Sequence, residues 1–199
     1  MIATQSPLAA RQRDVARIFE HAGSHASRRR QPALAVLVGL PASGKSRIAE
    51  ELRSRTGAAV LESDELRRLL FTRRTYSPQE SQRLFAAVHA AIEQLLAARV
   101  SVILDATNLA EAERAPLYEI AERQGARLVL ANVTAPERIV RRRLARRDTA
   151  GVSRSEADLR VYERMRSRVE AIAQPHHVVD TSQEIDSVLA AIAKEMTGG

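Results

Sequence analysis

Five short apolar runs punctuate the chain: ALAVLVG at 33–39, AAVLES at 58–63, VSVILDA at 100–106, ARLVLANV at 126–133 and HHVVDT at 176–181. Their aliphatic and β-branched residues are grouped rather than spread in strict alternation, the mark of strands buried on both faces. Between them lie longer stretches with apolar residues at helical spacing. A β-α-β-α order of this kind predicts an α/β fold, a parallel sheet covered by helices on both sides.

Helix starts are well marked. SPQE at 77–80 is a capping box with proline at the first helical position, and TAPE at 134–137 has a similar design. SRSE at 153–156 and TSQE at 181–184 give two more expected starts. Residues 1–22 predict one amphipathic helix with Leu8, Val15, Ile18 and Phe19 as its inner stripe. HAGSHASRRRQP at 21–32 follows as a loop or linker. The expected division is therefore an N-terminal helix and basic linker over 1–32 and a main domain over 33–199. That helix either packs on the core as an extension or serves as a partner-binding arm.

Composition narrows the class. The 45% apolar and 28% charged residues belong to an ordinary globular protein. No run is long and apolar enough for a membrane span, and the N-terminus lacks the apolar core of a signal peptide, so a cytoplasmic protein is expected. The sequence has no cysteine, which excludes disulfides and thiolate metal sites. None of the histidines is paired at a convincing metal spacing. The net charge of +7 suits acidic partners such as phosphates or nucleic acid, or equally a set of solvated arginine-rich faces.

Against that background one residue stands out. Of 31 basic residues only two are lysines, and one of them, Lys45, follows a glycine loop directly after the first apolar run. Gly39-Leu40-Pro41-Ala42-Ser43-Gly44-Lys45-Ser46 fits the phosphate-loop pattern G-x-x-x-x-G-K-[ST] between a buried strand and an amphipathic helix over 46–55. Glycines let the backbone wrap a phosphate and aim N–H groups at its oxygens, and the helix N-terminus adds partial positive charge. Gly39, Pro41, Ala42, Ser43, Gly44, Lys45, Ser46 and Arg47 form the predicted ATP site, with Lys45 reaching the β- and γ-phosphates and Ser46 ligating Mg²⁺.

Three further stretches bear on the reaction. In VLESDELRRLL (60–70) a strand ends where an acid-led helix begins, which places Asp64 at the ligand edge of a parallel sheet as a candidate general base or a simple helix cap. In VSVILDATNLAEAER (100–114) the apolar strand ends at Asp105, suited to hold Mg²⁺, with Thr107 and Asn108 beside it for phosphate, substrate or turn contacts. Six arginines fall between Arg138 and Arg147 ahead of a Thr-Ala-Gly turn. Helical spacing puts Arg143 and Arg147 on one face and Arg142 and Arg146 on an adjoining one, a candidate lid closing over ATP.

Taken together, GLPASGKS, SDELR, DATNLAEAER and the arginine-rich lid make residues 33–181 resemble the P-loop kinases related to polynucleotide kinase, zeta toxin and chloramphenicol phosphotransferase. The resemblance implies a P-loop NTPase three-layer sandwich with strand order 2-3-1-4-5 and a helical lid. It implies Asp64 as general base with Arg67 on a substrate phosphate, and Asp105, Thr107, Asn108 and Arg114 as an element with substrate-side contacts. It also implies a lid arginine, mapped to 142–147 without singling one out. No accompanying phosphatase or ligase domain is recognisable, and residues 1–30 match nothing in the family.

The leading expectation is an ATP-dependent kinase acting on a hydroxyl, with Lys45, Asp64, Arg143 and Arg147 as its catalytic groups. The acceptor is a polynucleotide 5′-hydroxyl or a small-molecule alcohol. Aromatics make up only 3% of residues, so a base-stacking platform would be thin; Phe71, Tyr76 and Phe85 lie nearest the expected substrate side. The alternative is a P-loop ATPase or ATP-binding regulatory module. No membrane or specific protein partner is indicated.

Overall fold

The computed structural model describes residues 7–23, 26–147 and 152–198. Along the chain come α1 (Pro7–Gly23), β1 (Ala33–Val38), α2 (Lys45–Thr56), β2 (Ala59–Glu62), α3 (Ser63–Leu70), α4 (Pro78–Ala97) and β3 (Val102–Asp105). They are followed by α5 (Glu111–Arg123), β4 (Arg127–Thr134), α6 (Glu137–Arg147), α7 (Val152–Arg166), β5 (His177–Asp180) and α8 (Asp186–Thr197). The five expected strands all form, and they pair in parallel in the order β2-β3-β1-β4-β5.

The grouped apolar runs now have their reason. Every residue of β1 is buried, and alternate side chains serve opposite faces. Ala33, Ala35 and Leu37 pack with Ile48 and Leu52 of α2 and Leu189 and Ile192 of α8. Leu34, Val36 and Val38 pack instead with Leu84 and Val88 of α4 and Leu117 and Ile120 of α5. With both faces covered, β1 carries no polar side chain along its length.

Helix α1 belongs to the second of these cores. Val15 and Ile18 are buried with the α4 residues, Phe19 packs at the margin, and Leu8 is exposed. Full burial of one such aliphatic side chain contributes roughly 1.5–3 kcal/mol. The buried Asp14 carboxylate receives both Arg83 Nε (2.8 Å) and Arg83 Nη2 (3.0 Å) from α4. The loop behind it is also tied down, with Arg28 bridging to Val100 and Ser27 N–H donating to Gly57 O at 2.9 Å. The helix is thus packed as an extension of the main core.

The expected caps fare unevenly. Ser77 caps α4 through its hydroxyl, which accepts from Glu80 N–H at 3.2 Å. The TAPE segment works otherwise: Thr134 remains in β4, and the Ile139 and Val140 amides of α6 donate to Pro136 O. At TSQE the Glu184 carboxylate accepts from Asp186 N–H at 2.5 Å, while Thr181 points elsewhere. The first-turn side chains of α7, including the SRSE motif, lie outside the described residues.

Candidate active site

The phosphate loop, Asp105 and Asp64 lie where the strands end. Gly39 leaves β1 and donates its N–H to Thr107 O at 3.0 Å, which ties the phosphate loop to the segment after β3. A Cβ on Gly39 would lie 2.3 Å from Val133 O, so no other residue fits this close crossing. Gly44 stands at the N-cap of α2 with φ 111° and no side chain to cap the helix. The N-terminus of α2 therefore has no side-chain cap, and it carries the partial positive charge of the helix. Lys45 is buried and donates from Nζ to Leu40 O at 3.0 Å, folded back over its own loop. Ser46 and Arg47 are exposed at the mouth, whereas the Ser43 hydroxyl is buried without a hydrogen-bond partner.

The loop is braced from outside. Arg143 Nη1 donates to Ser43 O at 2.8 Å and to Ala42 O at 3.2 Å, and to Thr181 Oγ1 at 2.9 Å; Nη2 donates to Thr181 O at 3.2 Å. Thr181 Oγ1 in turn lies 2.6 Å from Ser43 O and 3.1 Å from Thr134 O. These carbonyls belong to the back of the loop, so Arg143 supports the cradle where the sequence led us to expect a direct phosphate contact. Apolar packing does the rest: Val140 and Leu144 of α6 and Tyr162 of α7 enclose Ala42. Arg142 and Arg146 are exposed on α6, and the Arg147 side chain lies outside the described residues. Arg141 joins α6 to α7 through Glu137 (2.8 Å) and Glu163 (3.4 Å).

Carboxylates stand beside the loop. Asp105 is buried at the end of β3, in register with Leu37 of β1 and Glu62 of β2. Neighbouring partners in a parallel sheet point to one face, so Glu62 and Asp105 are side by side on the α2 face. Burial first, and then the Asp105 charge, push the Glu62 carboxyl above its ordinary range. Sequence reading passed over Glu62, although its place at the end of an apolar run was the available signal. Asp64 is exposed in the first turn of α3, directly after β2, with Glu65 beside it held 3.2 Å from His21 Nε2.

Three expected substrate contacts are turned inward, which corrects the sequence reading. Arg114 is fully buried; Nη1 donates to Asn108 O (3.0 Å) and Leu109 O (2.7 Å), and Nη2 to Ala171 O (2.9 Å). It is a strut that pins the 170–171 segment to the loop after β3. Asn108, at φ 48°, donates from Nδ2 to Leu37 O at 2.8 Å and so joins β1 to that loop. Arg67 is buried beneath the Tyr76 ring, its guanidinium carbon 4.7 Å from the centroid, with Nη1 on Glu80 Oε1 at 2.5 Å. Glu80 also accepts from Thr75 N–H (2.6 Å), Thr75 Oγ1 (2.7 Å) and Tyr76 N–H (3.3 Å). Burial alone would raise its pKa, but these donors hold it at about 2. Thr107 stays half-buried at the sheet edge.

An uncapped helix N-terminus behind a glycine loop, a loop lysine, an exposed serine and a buried strand-end aspartate fit a nucleoside triphosphate with its Mg²⁺. With the strand order, they define a P-loop NTPase with the kinase-like fold. The chain belongs to the family described as AAA domain, whose model matches residues 34–172. No curated protein matches the sequence. Among solved structures, APS kinase CysC of Mycobacterium tuberculosis in complex with AMPPNP and APS aligns with TM-score 0.63 and 19% identity, over 83% of this chain and 98% of its own. A gluconokinase from Sinorhizobium meliloti 1021 aligns with TM-score 0.55 and 24% identity, over 85% and 92%. The Pnkp1/Rnl/Hen1 RNA repair complex contains a chain that aligns with TM-score 0.53 and 25% identity, over 75% of this chain but 49% of that one. Among the described residues no helix is long and apolar enough to cross a membrane.

Proposed function

We propose that the protein is an ATP-dependent kinase that moves the γ-phosphoryl group of ATP to a hydroxyl, on either a small-molecule alcohol or a polynucleotide 5′-end. The observation that carries this reading is Asp64, an exposed carboxylate at the head of α3, on the same sheet edge as the phosphate loop and Asp105. ATP brought with Mg²⁺ supplies the phosphoryl group, the acceptor oxygen bonding to phosphorus as the bond to the ADP leaving group breaks. Asp64 orients that hydroxyl and takes its proton. Lys45, swung from Leu40 O, and the α2 amides stabilise charge on the phosphates, and Ser46 and Asp105 would hold the metal, which would supply further positive charge. Arg143 keeps the cradle in shape, and Arg147 is proposed to add charge from the end of α6.

The acceptor contacts fall to Thr107 and the exposed side of the 71–77 loop, which the Arg67–Glu80 pair orders. Tyr76, 62% exposed at φ 52°, is the aromatic held outermost there. Such an enzyme would work in the cytoplasm, where ATP is plentiful. Incubation with γ-labelled ATP and a panel of 5′-hydroxyl DNA, 5′-hydroxyl RNA, nucleotide sugars, sugars and aminoglycosides tests the reading. Label is expected on one acceptor class; label released only as free phosphate across the panel would favour an ATPase module instead.

A further inference from the structure

One cleft among the described residues lies away from the phosphate loop. It lies at the opposite end of the sheet, where the strands begin, and has a volume of about 810 Å³. Four of its lining residues are arginines: Arg29 and Arg30 before β1, Arg99 before β3, and Arg127 at the start of β4. The six residues of β1 put roughly 20 Å between this floor and the loop.

Three of the guanidinium groups are held by carbonyls and an amide rather than by carboxylates. Arg29 Nη2 donates to Thr56 O at the end of α2 (2.9 Å), and Arg99 Nη1 to Arg30 O. Arg127 donates to Glu195 O of α8 (2.7 Å) and to Gln31 Oε1 (3.1 Å). The Glu195 carboxylate is turned to His177 Nε2 at 2.7 Å. Among the described residues none of the four arginines is in an ion pair.

Counter-charge for helix ends does not account for so many. The C-termini of α2, α4, α5 and α8 reach this end of the sheet, and each carries about half a negative charge, roughly two in all. Four guanidiniums still leave a surplus of about two positive charges in one open cleft. Arg99 adds a second sign. It holds a left-handed backbone (φ 63°) just past α4, where glycine is the usual residue. No aromatic or aliphatic side chain lines the cleft, so nothing is offered to a base or an apolar ring.

We infer that this arginine floor is a second anion site, separate from the ATP site, which binds the phosphate groups of a multiply charged ligand, either a free polyphosphate or a nucleic-acid backbone. Arginine forks match phosphate oxygens in pairs, and the cleft is large enough for a run of linked phosphates. The inference does not depend on the kinase reading.

Tripolyphosphate is the probe, with binding measured calorimetrically on the full chain. Wild type is expected to take up two equivalents, one at the phosphate loop and one at the floor. Lys45→Ala should lose the first and keep the second. Arg30→Gln combined with Arg99→Gln should keep the first and weaken the second about tenfold or more. The charge-preserving pair Arg30→Lys and Arg99→Lys should recover most of that loss. A parallel titration with a single-stranded oligonucleotide identifies the source. If its affinity also falls in the glutamine pair, with a salt slope smaller by about 1.4 for two lost phosphate contacts, the ligand is a strand. If only tripolyphosphate weakens, the ligand is a free anion. A single tripolyphosphate site in wild type that Lys45→Ala abolishes would overturn the inference, and that measurement does not rely on the arginine variants folding.

Discussion

The Thr181 hydroxyl lies 2.6 Å from the Ser43 carbonyl, across 138 residues of sequence. One small side chain at the end of β5 thereby fixes the back of a phosphate loop that leaves β1, with Arg143 gripping both partners.

Removing that hydroxyl should loosen the cradle without touching the chemistry. Thr181→Val is expected to raise the KM for ATP about five- to tenfold, the equivalent of one hydrogen bond, with kcat little changed. Thr181→Ser should behave as wild type. Steady-state kinetics over an ATP series would show it; a fall in kcat at constant KM would place Thr181 in the reaction itself.

Asp64 and Lys45 should separate in the opposite sense. Asp64→Asn is expected to bind a non-hydrolysable ATP analogue normally and to lose about 10²–10⁴-fold in transfer to the acceptor. Lys45→Ala should lose both nucleotide affinity and turnover. Near-normal transfer by Asp64→Asn would end its assignment as general base.

Arg114 offers a test of strut against substrate ligand. Arg114→Met leaves the carbonyls of Asn108, Leu109 and Ala171 without their buried donor, and a loss of about 3 kcal/mol in chemical denaturation is expected. The KM for the acceptor, measured where the variant is folded, should not move. A large change in that KM at unchanged stability would return Arg114 to the substrate side.

The Arg67–Glu80 pair predicts an acid limb. Glu80 titrates at about 2 in the folded chain against an ordinary 4.5, so the unfolded chain binds the proton first as pH falls. Its stabilisation is complete above about 4.5 and drains away between there and about 2. Denaturant midpoints recorded from pH 7 to pH 2 should therefore fall more steeply in wild type than in Glu80→Gln. Parallel curves would mean that Glu80 is not the group responsible.

The sheet and its helices were legible because each layer repeats one simple rule: strands buried on both faces are apolar throughout, and ATP-loop glycines break the run at a fixed point. The placement of the phosphate loop was legible because it depends on immediate neighbours: a buried strand before Gly39 and a helix beginning at Lys45. Arg67 and Arg114 misled because a charged side chain beside a motif reads as a ligand hand, whereas Glu80 and three main-chain carbonyls, distant or silent in sequence, had already claimed them. Thr181 was hidden for the reverse reason. It sits in a stretch that reads as a helix cap, and only the β4–β5 pairing brings it to the loop.

The seating of α1 bears on how the chain comes into being on the ribosome. Asp14 finds its partner Arg83 only 69 residues later, so the apolar stripe of Val15 and Ile18 is synthesised well before the α4 surface that covers it. At about 5–20 residues per second, that gap lasts several seconds. During that time the nascent N-terminus carries an uncovered greasy face, open to whatever chaperone waits at the exit. Trimming the chain to the phosphate-loop unit would bare the matching face of α4 for good, and the shortened protein is expected to precipitate.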